Sequence, residues 1–138
     1  MTEYYHIITY GCQMNEHDSE RLAGQLRELG YQYNEDYKKA DIIILNTCCV
    51  RENAELKVYG KVGELKALKR ENPDLIVGIA GCMMQQEDVV EELMKKYPHV
   101  DLIFGTHNIH KLGGLIEEIK EKRERIVQVW EEGKEVIP

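Results

Sequence analysis

The pattern of apolar and polar positions along this chain changes repeatedly between two kinds of segment. Largely apolar runs, among them YYHIITY, IIIL and LIVGIA, lack the polar alternation of a half-exposed strand. Such runs predict β-strands that are covered on both faces, as in a parallel sheet. Between them, apolar residues recur at intervals of three and four, which indicates amphipathic helices. Strand and helix in turn predict a three-layer α/β fold, with a mostly parallel sheet flanked by helices.

The runs and the breaks between them give a full set of predicted elements. Strands are predicted over Tyr4–Tyr10, Tyr31–Tyr33, Ile42–Leu45, Leu75–Ala80, Leu102–Phe104 and, at an edge, Ile126–Trp130. Helices are predicted from Asn15, as the N-cap, to Gly30, and over Glu52–Arg70, Glu87–Tyr97 and Asn108–Lys120. The buried faces of these helices are predicted to include Leu29 and Met94. Every crossover is predicted to be right-handed.

Length and composition narrow the class of protein. With 138 residues, of which 43% are hydrophobic, the chain is large enough for one domain with its own core. No apolar run is long enough to span a bilayer and MTEYYHII is not a secretory signal, so we predict a cytoplasmic protein without a membrane partner. The final EEGKEVIP is typical of a linker. Residues 131–138 are therefore predicted to begin a linker, and residues 1–138 to be one domain of a longer protein.

Charge limits the partners that the chain can bind directly. The 18 Lys and Arg residues are outnumbered by 25 Asp and Glu residues, and the net charge is -7. Affinity for nucleic acid depends largely on basic side chains that neutralise phosphates. We therefore predict little direct nucleic-acid affinity for this chain.

Three cysteines occupy equivalent places in the pattern. Cys12, Cys48 and Cys82 each follow an apolar run and precede a predicted helix. Ligands of open α/β sheets collect at the carboxyl ends of the strands, so the three thiols are predicted to converge there. Three thiolates suit a metal or an iron–sulfur cluster. No Cys-x-x-Cys pair occurs in the sequence, which does not support a zinc ribbon.

The fourth cysteine and the polar residues near the cysteines leave other readings open. Cys49 is adjacent to Cys48, and neighbouring side chains of an extended segment point in different directions, so it is a less favoured ligand. The Cys48–Cys49 pair could instead serve a cytosolic thiol redox domain. Asn46 and Thr47 could donate hydrogen bonds toward a cluster, or cap a turn. A nucleotide- or flavin-binding domain is a third reading, although the sequence lacks a G-x-G-x-x-G or P-loop motif.

The segments around the cysteines also resemble a known family. YGCQMNEHDSE, NTCCVRENAE and AGCMMQQ are similar to the three cysteine motifs in the N-terminal domain of radical-SAM methylthiotransferases. The segment FGTHNIHKL is similar to the corresponding segment in the branch of this family that modifies N6-isopentenyladenosine in tRNA. The resemblance implies a flavodoxin-like, Rossmann-like fold and an auxiliary [4Fe–4S] cluster bound by Cys12, Cys48 and Cys82. It assigns no catalytic side chain to this domain.

The resemblance also implies what a longer protein would do. Such an enzyme adds a methylthio group at C2 of N6-isopentenyladenosine, next to the anticodon of tRNA. It uses S-adenosylmethionine and a second [4Fe–4S] cluster on a radical-SAM domain of the same chain, with a C-terminal RNA-binding domain. This sequence has no Cys-x-x-x-Cys-x-x-Cys motif for the second cluster, so we do not expect it to catalyse the reaction by itself.

Overall fold

A computed structural model describes residues 3–10, 13–47, 52–81, 87–105, 110–122 and 125–128, without the side chains of 13–15, 52–56 and 87–89. Its strands are β1 Glu3–Thr9, β2 Tyr31–Tyr33, β3 Ile42–Thr47, β4 Ile76–Gly81, β5 Leu102–Phe104 and β6 Ile126–Gln128. Its α-helices are α1 Gln13–Glu28, α2 Glu52–Glu71, α3 Glu87–Lys96 and α4 Leu112–Lys122, and a short 3-10 helix covers Tyr37–Lys39. Within the described part of the chain, no helix has the length and apolarity that crossing a membrane requires.

The six strands form one parallel sheet in the order β2-β1-β3-β4-β5-β6. The chain steps one way from β1 to β2 and the other way from β3 onward, so the strand order reverses between β1 and β3. Such a reversal is the point at which open α/β sheets usually bind ligands. The predicted three-layer α/β fold with a parallel sheet is confirmed.

Two apolar cores lie on the two faces of the sheet. Helices α2 and α3 cover one face, with buried residues Val58, Val62, Leu65, Val90 and Leu93. Helices α1 and α4 cover the other, with Leu22, Leu26, Leu112, Leu115, Ile116 and Ile119. Every residue of β3 and β4 is buried. This two-sided burial explains why these strands carry unbroken apolar runs.

The position of α4 corrects the prediction of uniformly right-handed crossovers. The unit β5–α4–β6 steps along the sheet in the same direction as β3–α2–β4, yet α4 packs on the opposite face. Its crossover therefore has the opposite hand, and the prediction is wrong for this unit. Contact with α1 holds α4 on that face: the Gly113 N–H donates to Gln25 Oε1 at 3.1 Å, and the apolar residues of both helices share one core.

Several predicted boundaries and buried positions also need correction. Helix α1 begins at Gln13, so Asn15 lies inside the helix and is not its N-cap. Leu29 is 36% exposed because it follows the last residue of α1, where Gly30 turns the chain with φ at +100°. Met94 is 43% exposed, on the solvent side of α3. Helix α4 begins at Leu112, and the predicted start at residue 108 and strand end at residue 130 lie outside the described residues.

Two aspartates fasten the amino-terminal edge of the sheet. Asp41 Oδ2 accepts a hydrogen bond from the Tyr4 N–H at 2.8 Å. Asp101 Oδ2 accepts one from the Val77 N–H at 3.0 Å and another from Lys69 Nζ at 2.6 Å. The bonds from Tyr4 and Val77 satisfy backbone N–H groups at that end of the strands, and Lys69 holds the Asp101 carboxylate from α2. In the sequence, Cys12, Cys48 and Cys82 follow the opposite, carboxyl ends of their strands.

Candidate metal centre

The three strands that precede the predicted ligands are direct neighbours in the sheet. In the register between β3 and β4, Thr47 and Gly81 are partners. The next residues in the sequence are Cys48 and Cys82. Since adjacent strands lie about 5 Å apart, the two cysteine segments begin at points one strand spacing apart.

The segment that contains Cys12 begins at the strand on the other side of β3. Thr9 of β1 is the register partner of Asn46, and the Tyr10 N–H extends the ladder by donating to the Asn46 carbonyl at 2.8 Å. Helix α1 then begins at Gln13, directly after Cys12. The three starting points therefore span about 10 Å, or two strand spacings, across the switch point of the sheet.

All four cysteines lie outside the described residues. The ligation predicted for Cys12, Cys48 and Cys82 therefore stays a prediction, as does the minor role given to Cys49. The structure brings together the strand ends on which the prediction depended. Among the described residues, no group of three His, Cys, Asp or Glu side chains could hold a metal ion.

Gly81 shapes the start of the Cys82 segment. Its φ of +110° lies in the region that side-chain-bearing residues rarely adopt. A Cβ built on it would lie 2.1 Å from the Thr47 carbonyl oxygen. Only glycine therefore lets the end of β4 approach β3 this closely.

Asn46 and Thr47 are the buried polar side chains among the described residues, and both have zero exposure. Asn46 Nδ2 donates to Ser19 Oγ of α1 at 3.0 Å, and Ser19 Oγ lies 2.7 Å from Thr9 Oγ1. Thr47 Oγ1 donates to the Ala80 carbonyl at 2.7 Å. Both side chains thus bond to neighbouring elements, and the predicted capping role does not describe these contacts. Ser19 was missed in the sequence because it lies 27 residues from its partner.

The helix starts add a common electrostatic feature. Helices α1, α2 and α3 each follow one of these three strands and so begin at the same edge of the sheet. A helix start carries partial positive charge and free N–H groups, which stabilise a nearby thiolate. Three such starts at one edge suit a site that holds several anionic sulfurs.

Lys61 and Glu64, which act on Tyr10 at the end of β1, are paired with each other. Lys61 Nζ lies 2.8 Å from Glu64 Oε2 and 4.6 Å from the centre of the Tyr37 ring. The hydrogen bond with Glu64 raises the pKa of Lys61, and the same bond lowers the pKa of Glu64. Burial raises the pKa of Tyr10, which stays neutral at physiological pH. The Lys61–Glu64 pair therefore adds little net charge beside Tyr10.

The donor set fits an iron–sulfur cluster. Thiolates are the ligands that such clusters use, and the cytosolic environment predicted from the sequence keeps thiols reduced. The sheet brings the three strand ends to one edge, and Gly81 provides close approach where bulk would obstruct it. The fold and the sequence that follows its strands together define a class of protein. It is a flavodoxin-like α/β domain in which cysteines follow the strands at the switch point of the sheet.

Comparison with solved structures supports the fold. The chain superposes on a short-chain flavodoxin associated with a non-canonical PDU bacterial microcompartment, with a TM-score of 0.52. The match covers 87% of this chain and 99% of the flavodoxin, at 14% sequence identity. At that identity the likeness establishes the flavodoxin-like arrangement of strands and helices and nothing about a ligand.

Comparison of sequences establishes the family. Residues 4–105 match the model of the uncharacterized protein family UPF0004, and the chain belongs to that family. It is 55% identical over 133 residues to the tRNA-2-methylthio-N(6)-dimethylallyladenosine synthase of Clostridium tetani. It is 56% identical over 131 residues to the synthase of the same name from Oceanobacillus iheyensis, and 54% identical over 133 residues to that of Bacillus licheniformis. The predicted resemblance to methylthiotransferases is confirmed.

The matches cover nearly all of this chain but a small part of each relative. They include 96% of this chain and 29% of the Clostridium tetani protein, and 95% and 25% for the Oceanobacillus iheyensis protein. The chain thus spans about a quarter to three tenths of the length of these curated relatives.

Proposed function

We propose that this chain is the auxiliary iron–sulfur domain of a tRNA methylthiotransferase, and that Cys12, Cys48 and Cys82 bind a [4Fe–4S] cluster. The observation that carries the proposal is the adjacency of β1, β3 and β4 at the switch point of the sheet. The register supports it, because Thr47 and Gly81 are partners and each directly precedes a cysteine. The names of the relatives, which are more than 50% identical to the chain, support the sulfur chemistry.

In this proposal the protein supplies ligands, spacing and electrostatic environment. The neighbouring strand ends would bring the three thiolates together, and the starts of α1, α2 and α3 would favour their anionic form. Cys12, Cys48 and Cys82 would hold such a cluster and leave one of its irons without a protein ligand, where it could take up a sulfur species. Cys49 lies beside a ligand and does not replace one.

The longer protein would carry out the complete reaction. We propose that it adds a methylthio group at C2 of N6-isopentenyladenosine in tRNA, with S-adenosylmethionine and a second [4Fe–4S] cluster on a radical-SAM domain of the same polypeptide. The present chain would then act in the cytoplasm as one domain of that enzyme, inactive by itself. Its net charge of -7 supports the proposal that other domains make most of the contacts with tRNA.

The test is anaerobic reconstitution of the chain with iron and sulfide, followed by iron and acid-labile sulfide analysis. We expect about four irons per chain, with the absorbance of an iron–sulfur cluster. Cys12→Ala, Cys48→Ala and Cys82→Ala should each abolish stable cluster binding. Cys49→Ala is the matched control, because it removes a thiol from the same segment and should leave the iron content unchanged.

Each outcome bears on one of the readings left open by the sequence. Loss of the cluster in Cys49→Ala as well would overturn the three-ligand assignment. A wild-type chain that takes up no iron but forms a Cys48–Cys49 disulfide would favour the thiol redox reading. A yellow chain that retains flavin instead of iron would favour the flavin-binding reading.

A further inference from the structure

We propose that Asn46 and Thr47 are positioning residues, which hold the Cys12 and Cys82 segments in place against the Cys48 segment before any metal binds. In this proposal, Asn46 holds the Cys12 segment in place and Thr47 holds the Cys82 segment in place. The inference rests on the proposed function and adds to it the means by which the site is assembled. Its own evidence is the bonding of two buried side chains.

The Asn46 connection runs to the element that follows Cys12. Asn46 lies on the face of β3 that α1 covers, in step with Ile42 and Ile44 of the same core. Its Nδ2 donates to Ser19 Oγ in the second turn of α1, at 3.0 Å, and Ser19 Oγ lies 2.7 Å from Thr9 Oγ1 at the end of β1. One serine hydroxyl thus joins β1, α1 and β3. The segment that contains Cys12 lies between two of these joined elements.

The Thr47 connection runs in the opposite direction, to the strand that precedes Cys82. Successive residues of a strand face opposite sides of the sheet, so Thr47 lies on the face covered by α2 and α3. Its Oγ1 donates to the Ala80 carbonyl at 2.7 Å, beside Gly81, whose missing side chain allows the close approach. The bond fixes the last two residues of β4 against the last residue of β3.

The placement of these residues argues against a purely structural role. Burial of a polar side chain is unfavourable unless its hydrogen bonds are made, and the positions before them in β3 are all apolar. Among the described residues, the buried polar side chains are these two, and they directly precede Cys48. Apolar residues would fill a core at least as well. The two hydrogen bonds are therefore better explained by a need to hold the ends of β1, β3 and β4 in fixed positions.

Thiol cross-linking of the metal-free chain measures that position directly. In a Cys49→Ala background, Cys12→Ala leaves the Cys48–Cys82 pair, and Cys82→Ala leaves the Cys12–Cys48 pair. Each reduced pair is cross-linked anaerobically with dibromobimane, and the rate is compared with that of the same chain in denaturant. Thr47→Val and Asn46→Leu remove the two hydrogen bonds at nearly constant volume.

Each variant is expected to slow the cross-linking of one thiol pair and to leave the other pair unchanged, which we call the crossed pattern. Thr47→Val should slow cross-linking of Cys48 with Cys82 by about three- to tenfold, the effect of one buried hydrogen bond, and leave Cys12–Cys48 unchanged. Asn46→Leu should slow the Cys12–Cys48 pair and leave Cys48–Cys82 unchanged. Because each variant carries one unaffected pair, general unfolding is recognised as slowing of both. Thr47→Ser, which retains the hydroxyl, should restore the rate. If Asn46→Leu unfolds the chain, Ser19→Ala removes the same bond from the partly exposed side.

The result separates this inference from the proposed function. Equal rates in all variants, or equal slowing of both pairs in folded chains, would overturn the positioning role even if the wild type binds iron. Crossed slowing in a chain that takes up no iron would support positioning and refute the cluster. Where the cluster does form, each variant should release its iron to a chelator faster than Asp101→Asn, a control at the opposite edge of the sheet.

Discussion

Gly81→Ala tests whether the close approach of β3 and β4 is needed next to Cys82. The substitution adds one methyl group at a φ of +110°, where its Cβ would meet the Thr47 carbonyl oxygen at 2.1 Å. Ordinary contact begins at 3.4 Å, so the two strand ends would have to separate by about 1 Å. The same separation weakens the hydrogen bond from Thr47 to Ala80.

The magnitude follows from these two effects. A side chain held in such a backbone conformation costs about 1–3 kcal/mol, and loss of a buried hydrogen bond costs about 1 kcal/mol more. We therefore expect Gly81→Ala to lower the free energy of unfolding by about 2–4 kcal/mol. Gly30→Ala is the matched control, because Gly30 has a φ of +100° but an added Cβ there would have no neighbouring atom within 4 Å. It should cost about 1–3 kcal/mol, from backbone strain alone, and so about 1 kcal/mol less than Gly81→Ala.

Urea unfolding of the reduced chain, followed anaerobically by circular dichroism, measures both variants. Iron uptake after reconstitution provides a second reading, which should fall in Gly81→Ala and stay normal in Gly30→Ala. The reasoning is refuted if the two variants lose equal stability, or if Gly81→Ala binds iron as well as the wild type.

Three further predictions concern the rest of the domain. Gly63 lies on the exposed side of α2, with open space around an added Cβ. Gly63→Ala should therefore raise the free energy of unfolding in urea by about 0.5–1 kcal/mol. An unchanged free energy of unfolding would contradict this prediction. Burial lowers the pKa of His99 from its ordinary value of 6.5, while its Nε2 bonds the Val62 carbonyl at 2.6 Å. The unfolded chain therefore binds a proton more readily, so stability should be complete above about pH 6.5 and fall as the pH drops through the folded pKa. His99→Gln should reduce this slope below about pH 6.5, and an unchanged slope would exclude His99 as its source. Arg125 donates to the carbonyls of Met94, Tyr97 and Val100 at 3.1, 2.9 and 2.9 Å, so Arg125→Ala should destabilise the chain by about 2 kcal/mol. Arg125→Lys should recover less than half of that loss, because one ammonium cannot span three carbonyls, and hydrogen exchange of the Ile126 amide should report the loosened β6.

Local patterns were sufficient for the elements that lie in the core. The strands β2 and β5 have the predicted bounds, β3 extends the predicted run by two residues, and β4 is shifted by one residue toward the C-terminus. Strands β3, β4 and β5 are buried at every position, so their residues are almost all apolar wherever they lie in the sheet. Leu29 and Met94 were mispredicted because helical spacing does not show where a helix ends or which side its neighbours cover.

The sequence by itself determined the α/β class and placed three cysteines after strands. Both follow because a strand that is buried on two faces appears in the sequence as a continuous apolar run. Tertiary structure decided the strand order, and with it that β1, β3 and β4 are neighbours. It also decided the face on which α4 packs and the bonds that Asn46 and Thr47 make to residues 27 and 33 positions away. Such contacts depend on which elements meet in space, and a periodicity of two or four residues carries no information about partners that far along the chain.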